Sequence, residues 1–316
     1  MTTYSRETEG LELVHKFSRQ VKGRTFLLTG PTPGGVGAET LISLATESPA
    51  MLILIGRSEA KAQPTIDAIK AVNANIKIKF FAAELASLKS VRTVANAILS
   101  DAEISKIDVI FNNAAVMAHP QELTEDNLEL HIAINHLSHF VLTNTIISKV
   151  IAAGPAARVI NVSSSGHRWY SSGVRFDDPN FTQPSSYKEF TSYGQSKSAN
   201  ILFSVGLNKR LASQGIRAFS PTPGSVATGL AKHINALDSK RSAELYEEVS
   251  QSVYGTSPAN LREVEPRKTT QQGWVYIENC NVITDPKIAK TWATDPELAE
   301  KCWELSEILV GQKFDI

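Results

Sequence analysis

The amino-acid sequence predicts an α/β fold, a doubly wound parallel sheet with helices on both faces. Three observations carry this. Short apolar runs rich in β-branched and aromatic residues recur along the chain, and a longer stretch of helical periodicity follows each one. The runs are apolar at successive positions rather than alternate ones, as strands buried on both faces must be. At 316 residues the chain is large for a domain but ordinary for one extended sheet, and no repeat, low-complexity tract or linker divides it.

Residues 1–22 read as an N-terminal extension, a helix packed on the outside, ahead of a single Rossmann-type domain over 23–316. TFLLT (25–29) is the first strand and AETLISLATE (38–47) the helix after it. MLILIG (51–56) and KAQPTIDAIKAV (61–72) repeat the unit, as do IKIKFFA (76–82) and LKSVRTVANAIL (88–99). IDVIFN (107–112) precedes the long helical pattern of 127–150, and ARVINVS (157–163) precedes another helix at about 191–214. IRAFSP (216–221) is the sixth strand. The polar, irregular stretch from about 225 to 266 reads as a helical flap beside a substrate.

Bulk properties narrow the function. Lys and Arg total 32 against 32 for Asp and Glu, so no basic surplus favours nucleic acid or an anionic membrane, and a small-molecule partner is expected. No apolar run reaches the roughly 18 residues of a membrane span. The two cysteines, Cys280 and Cys302, have neither metal-ligand spacing nor a disulfide framework, and suit a reducing compartment. A soluble, cytoplasmic protein without a metal is the expectation.

In open α/β sheets a pyrophosphate meets backbone amides and a helix dipole at the first strand-to-helix turn. TGPTPGGVG (29–37) stands there. Its glycines miss the commonest spacing, but with Gly30 first, Gly35 and Gly37 keep the pair that opens the helix around Val36. One added residue then falls within 31–34. Alone this turn leaves nucleotide site and structural turn about equal. After the second strand comes Arg57, where NAD-binding sheets often carry an acidic residue for the ribose 2′-hydroxyl. A guanidinium suits a 2′-phosphate, which favours NADP(H) over NAD(H). Glu84 and Leu85 end the third strand where an adenine edge would lie, and Asn113 and Ala114 follow the fourth beside a ribose.

Tyr193 and Lys197 lie four apart on a predicted helix and share a face. A phenol titrates near pH 10, and lowering it by roughly three units requires about 4 kcal/mol of differential interaction, which a nearby ammonium helps to supply. With seven tyrosines in the chain, about 0.4 accidental Y-x-x-x-K pairs are expected. Position raises the pair above chance, because Ser163, Ser164 and Ser165 end the fifth strand and the tyrosine helix follows. A serine there can hydrogen-bond a carbonyl or hydroxyl oxygen. Asn135, inside the long helix, could hold a water through its side chain or backbone and relay protons to the lysine. His131, His136 and His139 read as packing or solvent-facing.

Taken in order, TGPTPGGVG, NNAA, INHLSHF, NVSSSGHR, YGQSK and PGSVAT resemble the short-chain dehydrogenase/reductase family. More narrowly the chain is similar to the retinol-dehydrogenase and WW-domain-oxidoreductase-like branch found widely in fungi. The resemblance runs from about residue 20 to the C-terminus. It implies Tyr193 as catalytic acid/base, Lys197 as its modulator and a ribose ligand, Ser164 as the holder of the substrate oxygen, and Asn135 as the fourth member. It further implies that Pro223, Gly224, Val226 and Thr228 close over a nicotinamide. Ala115 and Ser138 stand where glycine is usual, and Trp274 where a small residue is usual, a change expected to reshape a wall of the substrate pocket or of the surrounding packing. The implied function is NADP(H)-dependent reduction of a ketone or aldehyde, or oxidation of an alcohol, on a fairly apolar substrate, with secondary metabolism an expected setting. A non-redox role on the same fold, as isomerase, cyclase or cofactor-binding protein, is the alternative. The resemblance also implies a homodimer or homotetramer.

Overall fold

A computed structural model describes residues 4, 5, 7–169, 171–224, 226, 228–231 and 275–316. Among them eight strands form one sheet in the order β3-β2-β1-β4-β5-β6-β7-β8. The strands are β1 (Thr25–Thr29), β2 (Met51–Gly56), β3 (Lys77–Ala82), β4 (Val109–Asn112), β5 (Arg158–Asn161), β6 (Arg217–Pro221), β7 (Tyr276–Glu278) and β8 (Asn281–Val282). All neighbours pair in parallel except β7 and β8. The chain order reverses between β1 and β4, which opens a crevice above their carboxyl ends.

Successive residues of the central strands feed opposite layers. Leu27, Ile53, Ile110 and Val159 face the helices α4 (Leu88–Ser100), α6 (Ser138–Thr145) and α9 (Glu189–Leu211). Phe26, Leu28, Leu52, Leu54 and Phe111 face α2 (Val36–Ala45) and α3 (Glu59–Val72). Burial on both sides is why these strands are apolar at every position. The N-terminal helix α1 (Gly10–Lys16) is more than an outer cover: Leu13 and Val14 are fully buried, Val14 in the second core and Leu13 with Tyr4 against Cys280.

The long helical pattern at 127–150 is segmented. It begins as α5 (Leu130–Ile132), widens into a π-turn at Ala133–Leu137, continues as α6 and ends as α7 (Ile147–Ile151). A short α8 (Gly166–Trp169) follows β5. The chain closes with α10 (Thr291–Thr294) and α11 (Pro296–Val310), whose Asp295 caps the first turn by accepting from Glu297 N and Leu298 N. α11 covers α9: Trp303 meets Phe140 edge-on at 4.9 Å between ring centroids, and the Arg210 guanidinium lies 3.7 Å above the indole. Cys280 and Cys302 are buried, and burial pushes the Cys302 thiol up to about 12.

Candidate active site

The glycine turn leaves β1 close to the sheet. Gly30 N donates to Ile55 O at 2.9 Å, and Thr65 Oγ1 to Pro31 O at 3.1 Å. The added residue is taken up in exposed Thr32, Pro33 and Gly34, closed by Gly35 N donating to Thr32 O at 2.9 Å. Gly30 (φ 77°) and Gly34 (φ 69°) are left-handed, where a side chain is strained. A Cβ on Gly37 would lie 2.7 Å from both Gly30 O and Asn113 Nδ2. Gly35 is the N-cap of α2 and no side chain caps that helix, so its first turn, with Val36 and Gly37, presents amides to the crevice.

Arg57 is exposed at the end of β2, with no ion pair or side-chain hydrogen bond among the described residues. Glu84 is exposed and its carboxylate accepts from Ala86 N at 3.1 Å, while Leu85 packs into the core. Asn113 and Ala114 follow β4, and their amides both donate to Thr29 Oγ1 at 3.0 Å.

Ser164 and Tyr193 meet where β5 runs into α8. Ser163 anchors that loop, its Oγ donating to Lys197 O at 2.8 Å and its N to Pro221 O at 2.8 Å. Gly194 permits the approach, because a Cβ there would lie 2.8 Å from Gly166 O. Tyr193 is 4% and Lys197 2% exposed. Burial pushes the Tyr193 phenol up to about 12, and the hydrogen bond with Ser164 offsets only part of this. Burial likewise pushes the Lys197 ammonium down to about 7; its Nζ donates to Val162 O at 3.1 Å and lies 5.6 Å from the Tyr193 ring centroid. Proximity to lysine therefore does not lower the phenol here, because desolvation acts against both charges.

Asn135 sits in the π-turn, fully buried. Its Oδ1 accepts from Val116 N at 2.8 Å, and its Nδ2 donates to Val116 O at 3.0 Å and Ser196 Oγ at 2.9 Å. These bonds occupy both amide protons, so the side chain is a brace between a loop and α9 rather than a free water holder. The Asn135 backbone carbonyl accepts from His139 Nδ1 at 3.1 Å. None of the three histidines faces solvent. His139 Nε2 bonds Thr29 Oγ1 at 2.8 Å, His136 Nε2 bonds Ser306 Oγ at 2.8 Å, and His131 bonds Glu129. Burial lowers His139 to about 4 and His136 to about 3, so both are neutral near pH 7.

Beyond β6, Gly224 takes φ 76°, Pro223 and Val226 are half-buried, and Thr228 Oγ1 accepts from Leu230 N at 3.3 Å. The flap expected at 225–266 and Trp274 fall outside the described residues, apart from 226 and 228–231.

Comparison with known proteins decides the family. Residues 24–174 match the short chain dehydrogenase family model. Short-chain dehydrogenase TIC 32 A, chloroplastic, of Brassica napus is 32% identical over 93% of this chain and 90% of its own. Retinol dehydrogenase 13 of Homo sapiens is 31% identical over 92% of this chain and 86% of its own. The chain belongs to the short-chain dehydrogenase/reductase family. A crystal structure of an uncharacterized protein from Mycobacterium paratuberculosis superposes with a TM-score of 0.65 at 26% identity, covering 93% of this chain and 96% of that one.

Short-chain dehydrogenases/reductases are oxidoreductases that use a nicotinamide dinucleotide, and this chain is retinol-dehydrogenase-like among them. The residues present fit such a group: a Cβ at Gly30 or at Gly37 would press on the neighbouring chain, and the α2 N-terminus offers uncapped amides to a pyrophosphate. Among the described residues no cluster of His, Cys, Asp or Glu is placed to hold a metal, and no helix is long and apolar enough to cross a membrane.

Proposed function

We propose that the protein is an NADP(H)-dependent reductase of ketones or aldehydes, able to run as an alcohol dehydrogenase, on fairly apolar small molecules. The observation that carries this is the buried Tyr193 beside Ser164, with buried Lys197 one turn away on α9. The raised phenol keeps Tyr193 protonated at neutral pH, the form that can give a proton to a carbonyl oxygen. The Ser164 hydroxyl donates to the same oxygen and fixes its position. Lys197, while charged, stabilises the phenolate left behind and would bond the cofactor ribose. Asn135 holds α9 against the loop after β4, keeping Tyr193 and Lys197 in register. Bound NADPH would supply the hydride that reaches the carbonyl carbon. Gly30, Gly35, Val36 and Gly37 would hold its pyrophosphate, Arg57 its 2′-phosphate, Glu84 and Leu85 flank its adenine, and Asn113 and Ala114 its ribose. Pro223, Gly224, Val226 and Thr228 would cover the nicotinamide.

Two buried cysteines in a chain this long, Cys280 and Cys302, favour a reducing compartment such as the cytoplasm. A dimer or tetramer would have to leave the α9 face already covered by α11 and use other surface, such as that around Ile308, which is 75% exposed. NADPH oxidation against a panel of carbonyl compounds tests the function. Turnover abolished by Tyr193→Phe is expected; activity that survives Tyr193→Phe, or cofactor binding without turnover on any carbonyl or alcohol, would overturn it.

A further inference from the structure

A second buried polar cluster adjoins the site and takes no part in the proton transfer just described. Glu129, at the N-cap of α5, exposes none of its side chain, and neither does His131. Glu129 Oε1 accepts from His131 Nδ1 at 2.7 Å and His131 N at 3.0 Å, and Oε2 accepts from Ile132 N at 3.0 Å. Burial alone would push this carboxyl up, but the hydrogen bonds from His131 and the backbone hold it below its ordinary value. A buried carboxylate is costly unless every lone pair is used, so its presence asks for a purpose.

What the pair holds is the loop at 116–119. His119 N donates to His131 Nε2 at 3.2 Å, which places the ring proton on Nδ1, the tautomer that Glu129 accepts from. The Tyr187 hydroxyl donates to His119 O at 2.7 Å, and Asn135 holds both backbone groups of Val116. Between these anchors Ala118, 1% exposed, is kept at φ 51°, a left-handed conformation that persists only where its surroundings impose it. The same histidine reaches α9: Ser192 Oγ lies 3.0 Å from His131 Nδ1, and the ring of Tyr193 stands edge-on to the imidazole at 6.4 Å between centroids.

We propose that Glu129 and His131 are positioning residues for Tyr193, joining the 116–119 loop to the first turn of α9 so that the phenol stays within hydrogen-bonding reach of Ser164. This rests on the proposed acid role of Tyr193. His131→Phe keeps a ring against Tyr193 but removes both hydrogen bonds, and Glu129→Gln removes the charge that fixes the tautomer. In each, kcat for carbonyl reduction is expected to fall at least about tenfold while NADPH affinity stays unchanged, because the turn that holds the phosphates lies elsewhere. His131→Gln, whose amide can both donate to Glu129 and accept from His119, is expected to restore much of kcat. Wild-type kcat in His131→Phe, with Tyr193→Phe inactive, overturns the positioning role and leaves the acid role standing; activity in Tyr193→Phe removes the acid role itself. Should His131→Phe fail to fold by circular dichroism, Tyr187→Phe carries the measurement, since it deletes one hydroxyl and keeps its ring on Phe181. A raised substrate KM at unchanged NADPH affinity is expected there, and an unchanged KM overturns the proposal.

Discussion

The Asn113 amide reaches back across the strand ends to Thr29, donating to its carbonyl oxygen at 2.9 Å and to that of Gly30 at 3.3 Å. This bond locks the glycine turn against the loop after β4 and fills the space a side chain at 37 would need. Gly37→Ala should therefore abolish measurable NADPH binding, with Gly30→Ala nearly as harmful because its Cβ would meet Ala114 at about van der Waals overlap. At Gly34 space is open but φ is left-handed, so Gly34→Ala should cost about 1–2 kcal/mol. Gly35→Ala meets Thr32 O at 3.0 Å in an ordinary conformation. Titration of NADPH fluorescence ranks the four, and strong binding by Gly37→Ala would refute the cradle.

Cofactor choice turns on Arg57. A charged hydrogen bond is worth about 1.5–3 kcal/mol, so Arg57→Ala should weaken NADPH by roughly 10–100-fold and leave NADH almost unchanged. Equal losses for both cofactors, or a wild-type preference for NADH, would remove the 2′-phosphate role.

Lys197 should shape two pH profiles. Its ammonium is lost above about 7 in the free protein, so kcat/KM for reduction should decline on the alkaline side while Tyr193, held up at about 12, stays protonated. In stability the sign is opposite. The folded state binds fewer protons than the unfolded chain between about pH 7 and the ordinary lysine value of about 10.4, so this group makes stability rise with pH across that window. Below it both states are charged and the burial penalty is carried in full. Thermal midpoints of cofactor-free protein at several pH values, compared with Lys197→Met, should show a shallower slope in the variant.

Trp303 ties α11 to the core, buried against Phe140 and Phe203 beneath the Arg210 guanidinium. Trp303→Ala should destabilise the protein by about 3–5 kcal/mol in denaturant unfolding without altering the NADPH/NADH ratio. A change in that ratio would mean that α11 reaches the cofactor.

The central strands were legible because burial on both faces writes an apolar run into the sequence, as in Thr25–Thr29 and Met51–Gly56, whereas β3, exposed or half-buried along its length at the sheet edge, was legible by its isoleucine and phenylalanines. β7 and β8, three and two residues long, carry too little pattern to register; β7 is held by Ser220 and Thr222 at the neighbouring strand end, and β8 by pairing with β7. Spacing placed Tyr193 and Lys197 together, since a helix makes i and i+4 neighbours wherever it lies. Asn135 was found by its motif, but its partners, Val116 and Ser196, depend on a π-turn and a loop that no periodicity announces. For the same reason Glu129 and His131 went unseen as a pair: two residues apart on a helix they should not meet, and they do so because Glu129 is the cap rather than part of the helix. The direction of the Tyr193 and Lys197 shifts also needed the structure, because desolvation depends on what covers a group.

The close of α11 over α6 and α9 has a consequence for synthesis. Phe140 belongs to a core whose other rings include Trp303 and Phe314, supplied more than 160 residues later in the chain. While the ribosome is still adding the last strands, that face of the nascent polypeptide stands open, and chaperones have an apolar surface to hold until the final helix emerges. Shortening the chain from its C-terminal end should therefore yield insoluble protein well before it removes any residue of the cofactor crevice.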